Sequence, residues 1–231
     1  MNLLRRLGPA LLALLVVGHA GFAAEPAARI TRQTGETRVL RAGVSVPLAA
    51  GGEVFARDHL TAAAGGRLEA SFADGTIVTL AGSSEVAIDS WRFTPDDNDS
   101  RLFLRLITGS VMVVAGRVAE LPDQQLRLRT PVATVGVRGT RFWAGPLEGR
   151  FGVLLLEGGV YVENTSGRVD LSAAGTGVFI AAPPSTAPED LTEPADAWIG
   201  PGAPPARGGP LSEPEAWNPE RVARALDAVS F

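Results

Sequence analysis

The chain has 231 residues, with 25 acidic and 21 basic side chains, a net charge of −4, two His and no Cys. That length fits one domain with a small appendage, and 45% hydrophobic with 20% charged residues is the make-up of a folded protein. The lack of Cys excludes disulfides, thiolate metal sites and a Cys nucleophile; every basic residue is Arg, which excludes a Lys Schiff base and a P-loop Lys.

Met1 to Ala24 reads as a secretory signal. Arg5 and Arg6 supply the positive end, Leu7 to Val17 an apolar run of 11 residues, and Gly21 and Ala23 the small residues before a cleavage point after Ala23. The leader is thus residues 1–23. An uncleaved anchor is the other reading, but spanning a bilayer takes about 20 apolar residues. An exported chain without Cys suits a bacterial envelope, periplasmic or secreted, with no membrane span left after cleavage. Losing Arg5 and Arg6 makes the mature chain more acidic, so no nucleic-acid partner is expected.

From residue 29 to 182 the hydrophobic pattern has a period near two, broken by Gly-containing turns. Leu68 to Ala73 and Thr76 to Leu80 flank Asp74-Gly75, a two-residue hairpin signal. Glu85 to Phe93 follows, then a polar loop, then Arg101 to Ile107 with Leu102, Leu104 and Leu106 on one face. Ser110 to Val114, Gln125 to Arg129, Phe151 to Leu156, Gly159 to Glu163, Arg168 to Ser172 and Thr176 to Ala181 complete the series. The expected fold is all-β: a sandwich, a jelly roll or a short solenoid-like stack of antiparallel strands. Composition then shifts, because ten of the 17 Pro lie between Pro183 and Pro219. Residues 183–218 are expected to form a Pro-rich segment that acts as a semi-rigid linker or wraps over the domain. Residues 219–231 are expected to form a short helix, with Asn218 as cap and Pro219 at its first position. Val222, Leu226 and Val229 share one face of it. So short a helix needs a surface, its own domain or a partner's.

Catalytic constellations are not evident. His59 is the one His beyond the leader and reads as a strand-end residue. Glu148, Glu157 and Glu163 are the candidate carboxylates for glycan hydrolysis, but nothing places them across one cleft. Asp96, Asp97, Asn98 and Asp99 offer oxygen ligands, yet Arg101 stands where a calcium loop needs Gly, so the loop reads as a solvated turn. No cofactor, no metal and no enzymatic activity are expected.

Thr130 to Phe142 has a structural account of its own. Thr130-Pro131 opens an extended stretch. Ala133, Val135 and Val137 alternate onto an apolar face, and Gly136 and Gly139 allow a bulge or close backbone approach. Arg138 is expected to clamp turn carbonyls or a carboxylate, with Thr140 beside it. Arg141 and Trp143 are the candidate partner-binding residues. Together with Asp74-Gly75-Thr76, Gly109-Ser110-Val111 and Glu157 to Val162, this run resembles the FecR domain over about residues 29–182. The resemblance implies an envelope-side β module. In its best-known members such a module relays a signal from an outer-membrane receptor to a cytoplasmic sigma factor. Those members carry a cytoplasmic anti-sigma segment before a membrane span, whereas only Met1 to Arg6 precede the apolar run here. The expectation is therefore a free-standing exported module that binds an envelope protein. A glycan- or cell-wall-binding module is the alternative, prompted by the β architecture and by Trp residues such as Trp198 and Trp217.

Overall fold

A computed structural model describes residues 25–95, 99–121, 125–181 and 206–231. The expected leader, the acidic stretch Asp96–Asn98, and the Pro-rich segment through residue 205 with Trp198 lie outside the described residues. Within them the chain forms β1 (Ala28–Thr34), β2 (Thr37–Arg41), β3 (Val44–Pro47), β4 (Glu53–Val54), β5 (His59–Ala62), β6 (Arg67–Phe72), β7 (Ile77–Leu80), β8 (Ser84–Arg92), β9 (Arg101–Thr108) and β10 (Val111–Val114). A 3-10 turn (Arg117–Glu120) leads to β11 (Leu126–Arg129), the long β12 (Thr134–Leu147) and β13 (Arg150–Asn164). Then come β14 (Gly167–Leu171), β15 (Thr176–Ile180), β16 (Glu215–Ala216) and α1 (Pro219–Asp227).

All of these strands join one curled, half-barrel sheet. One side runs β3-β2-β5-β8-β9-β11-β12 and the other β12-β10-β7-β6-β1-β4. β12 belongs to both: Thr134–Gly136 pair with β11, and Arg141–Ala144 pair with β10. β13 pairs along β12, then pairs with β14 at one end and β15 at the other. The expected all-β architecture is observed, with one local departure: β9 and β11 pair in parallel. A parallel neighbour needs a crossover, and the passage through the 3-10 turn between β10 and β11 supplies it.

Alternation explains the core. Leu68, Ala70 and Phe72 of β6 point inward, while the residues between them stay half-exposed. Leu102, Leu104 and Leu106 are fully buried, as are Leu126 and Leu128. Residues from both sides of the sheet merge into one hydrophobic cluster, so the curl encloses a single core. Each such Leu contributes roughly 1.5–3 kcal/mol on burial. The chain crosses between the two sides at tight corners. A Cβ on Gly82 would lie 2.2 Å from the Ala64 carbonyl oxygen, so successive corners stack without room for a side chain.

Candidate functional site

The Asp74-Gly75 signal forms a hairpin, but its loop is wider than the two residues expected. Phe72 N–H bonds the Thr76 carbonyl at 2.8 Å, and the loop spans residues 73–76. The reason is a second task for the turn. The buried Asp74 carboxylate accepts from Thr76 N–H (3.0 Å), the Thr76 hydroxyl (2.7 Å) and Val118 N–H (3.2 Å). The Thr76 hydroxyl in turn accepts from Gly116 N–H at 3.0 Å. The turn thereby satisfies the backbone donors of the 3-10 crossover, which would otherwise be buried without partners.

Thr130 and Pro131 form a closed turn. The Thr130 hydroxyl donates to the Ala133 carbonyl (2.8 Å) and accepts from Ala133 N–H (3.0 Å). Further on, β12 bulges between Arg138 and Arg141, where it passes from one side of the sheet to the other. Gly139 takes φ +57° there. Thr140 stitches the bulge to β13: its hydroxyl lies 2.7 Å from the Gly159 carbonyl oxygen and accepts from Gly159 N–H at 3.2 Å. Gly158 sits directly beneath, since a Cβ on it would meet the Gly139 oxygen at 2.1 Å. Arg138 does not act as the expected clamp. Its side chain is exposed and makes no hydrogen bond with the described residues, because the bulge turns it outward. Thr140 holds the bend instead.

Arg141 and Trp143 lie on the outer face of the sheet, as their alternation with the core residue Phe142 requires. The strand register builds a row across this face: Arg32, Glu69, Thr79, Met112, Trp143 and Leu154. Its charged end passes into an apolar end within six strands. Trp143 is not open to a partner, contrary to expectation: it is 0% exposed beneath the C-terminal segment. Trp217 packs edge-on to Trp143 with centroids 6.2 Å apart. Its ring rests on a shelf of glycines, and a Cβ on Gly177 would lie 2.4 Å from it. β16 pairs with β15, and Asn164 Nδ2 donates to the Gly209 carbonyl at 2.9 Å. Residues 206–218, expected to be linker or a wrap over the domain, therefore belong to the folded body.

α1 then lies over β12 with Ala225 and Val229 buried. Asn218 caps it as expected, accepting from Arg221 N–H at 2.8 Å. Arg221 and Arg224 both bond Glu148, in the turn between β12 and β13. The Arg221 hydrogen bond, with Arg224 adding to it, holds the Glu148 carboxyl below its ordinary range. The helix thus uses its own domain as its surface.

The candidate carboxylates do not converge. Glu148 holds α1, Glu157 stands opposite Arg141 at the bulge, and Glu163 pairs with Thr134 on the far stretch of β12. His59 Nδ1 lies 3.1 Å from a Glu85 oxygen, a cross-strand contact between β5 and β8. Asp89 and Arg105 form a buried pair at 2.8 Å; burial raises the Asp89 pKa despite that partner. Among the described residues no helix is long and apolar enough to cross a membrane. Among the described residues β3 pairs with β2 alone and so forms one edge of the sheet, and Leu40, Val44 and Val46 of β2 and β3 are exposed, Val44 by 61%.

Sequence reasoning left open where the tail docks. The signal available was Gly152 and Gly177 inside strand patterns, since interior strand glycines mark close approach of another group.

Residues 58–161 match the family described as FecR protein. The match runs from Asp58 just before β5 into β13 and takes in the Asp74 turn, the Thr130 turn and the bulge. No curated protein matches the chain. Two crystal structures of a candidate anti-sigma factor from Parabacteroides distasonis show 14% identity and a TM-score of 0.47. They overlap 73% of this chain, which spans 64% and 63% of theirs.

Proposed function

We propose that this chain, which carries a FecR domain, is a non-enzymatic interaction module of the bacterial envelope that binds a protein partner in the periplasm after export by its leader. The observation that carries this reading is the FecR match at residues 58–161. A second feature agrees with it: Asp74, Thr130 and Thr140 all spend their polar groups on turns and on the bulge. The architecture consumes the motif, and the outer surface is left for recognition. Among the described residues the outer edge of β3 has no strand partner, and with the exposed side chains of Leu40, Val44 and Val46 it suits an extended segment of a partner protein. Of the two Trp residues behind the glycan alternative, Trp217 is buried against Trp143 and Trp198 lies outside the described residues.

The test is crosslinking of the exported protein in intact cells, followed by identification of the bound species. A single protein partner should be recovered with the wild type and lost with Val44→Glu/Val46→Glu, a pair of exposed substitutions that leaves the core intact. Recovery of no specific partner, or retention of cell-wall glycan in its place, would overturn the proposal.

A further inference from the structure

We propose that the cleft between the end of the C-terminal segment and the outer face of β1, β6, β7, β10 and β12 binds a small carboxylic acid with an apolar tail. The cleft holds about 360 Å³ and opens to solvent on one side. That volume lies at the small end of ligand pockets. Its polar end is built around Arg141. Among the described residues the buried Arg141 Nε has no hydrogen-bond partner, and Nη2 reaches only the Met112 sulfur at 3.9 Å. Thioether sulfur is a weak acceptor, so a guanidinium with a fixed planar fork is left without the oxygen pair it matches. A second guanidinium stands at the mouth: Arg32 lies over the Phe231 ring at 4.1 Å.

The chemistry of the walls narrows the ligand. Glu69 also lines the cleft, and one of its oxygens is occupied by the Thr31 hydroxyl at 2.7 Å. A neighbouring carboxylate disfavours a doubly charged group such as phosphate and tolerates a single charge between two arginines. The remaining wall carries Met112, Leu226 and Val229, which suit an alkyl or aryl tail, with Thr79 and Ser230 beside them. A ligand seated there would touch the sheet through Arg141 and the C-terminal segment through Leu226. It would bridge the two parts of the fold. This site is independent of the β2–β3 edge and of the protein-partner reading.

Isothermal titration calorimetry of the full chain with octanoate, 1-octanol and inorganic phosphate tests it. Octanoate should bind saturably at one site, while octanol and phosphate should not. Arg141→Gln should weaken octanoate by about tenfold or more, the loss of one charge-assisted contact. Arg32→Gln should weaken it several-fold; this exposed position keeps the test decisive even if the Arg141 variant does not fold. Absence of saturable octanoate binding overturns the proposal. So does equal binding of octanol, equal binding of phosphate, or wild-type affinity in a folded Arg141→Gln or Arg32→Gln variant.

Discussion

Trp217 lies flat against Phe179, with ring centroids 4.9 Å apart and planes 15° from parallel. One ring belongs to the C-terminal segment and the other to β15, so this stack fastens the end of the chain to the sheet. Removing it should free that end. In Trp217→Ala the loss of the buried ring costs about 3–5 kcal/mol. Trypsin should then cut at Arg221 and Arg224 faster than in the wild type. Gly177→Ala should act alike, because its Cβ would enter the same ring space. The two changes together should cost less than their sum, as neighbours that share one contact do. Strict additivity would show that the ring does not seat on Gly177.

The Asp74 carboxylate should matter for stability far more than an ordinary turn residue. Asp74→Ala leaves Thr76 N–H and Val118 N–H without their acceptor in a buried place. The expected cost is about 3 kcal/mol. Urea unfolding followed by circular dichroism measures it; a change within about 0.5 kcal/mol, typical of surface positions, would contradict the role assigned to the turn.

The bulge sets two glycines apart. Gly139 has φ +57° but open space where a Cβ would go. Gly139→Ala should therefore cost about 1 kcal/mol, the left-handed penalty alone, and Gly139→Val more. Gly158 combines φ +80° with the Gly139 oxygen only 2.1 Å from where its Cβ would stand. Gly158→Ala should cost about 3 kcal/mol, strain added to a backbone clash. Melting curves of the pair decide; equal effects would mean that the two backbones do not approach so closely.

Acid should loosen α1 before it unfolds the sheet. The Glu148 pKa is lowered in the folded protein by the Arg221 hydrogen bond, with Arg224 adding to it. A group lowered on folding stabilises above its unfolded value, near 4.3 for Glu, and that stability is lost as pH falls through the folded value. Tryptophan fluorescence between pH 6 and pH 3 should report movement over Trp217 in the wild type. Glu148→Gln should show the loosened state already at neutral pH and no further step on acidification.

Much of the interior was legible in the sequence for a simple reason. Leu102, Leu104 and Leu106 recur at every second residue, and a strand sets such a row on one face. Asn218-Pro219 likewise announced the helix, because cap and first-turn chemistry is local. The position of Trp143 was not legible. Alternation places it outside, and only the later part of the chain, brought back by β16, covers it. Arg138 misled for a related reason: its small neighbours suggested an enclosed site, whereas the bulge reverses which way that stretch faces. The register that builds the row from Arg32 to Leu154 depends on five separate pairings, none of which a single strand encodes.

β12 has a mechanical consequence. Its first residues are bonded to one wall and its last to the other, with the kink at Gly139 between them. Such a common stave denies either wall a separate unfolding event. Amides in β5 and in β6 should then exchange with deuterium at one shared limiting free energy. A break in the backbone at the kink would let the two walls open separately.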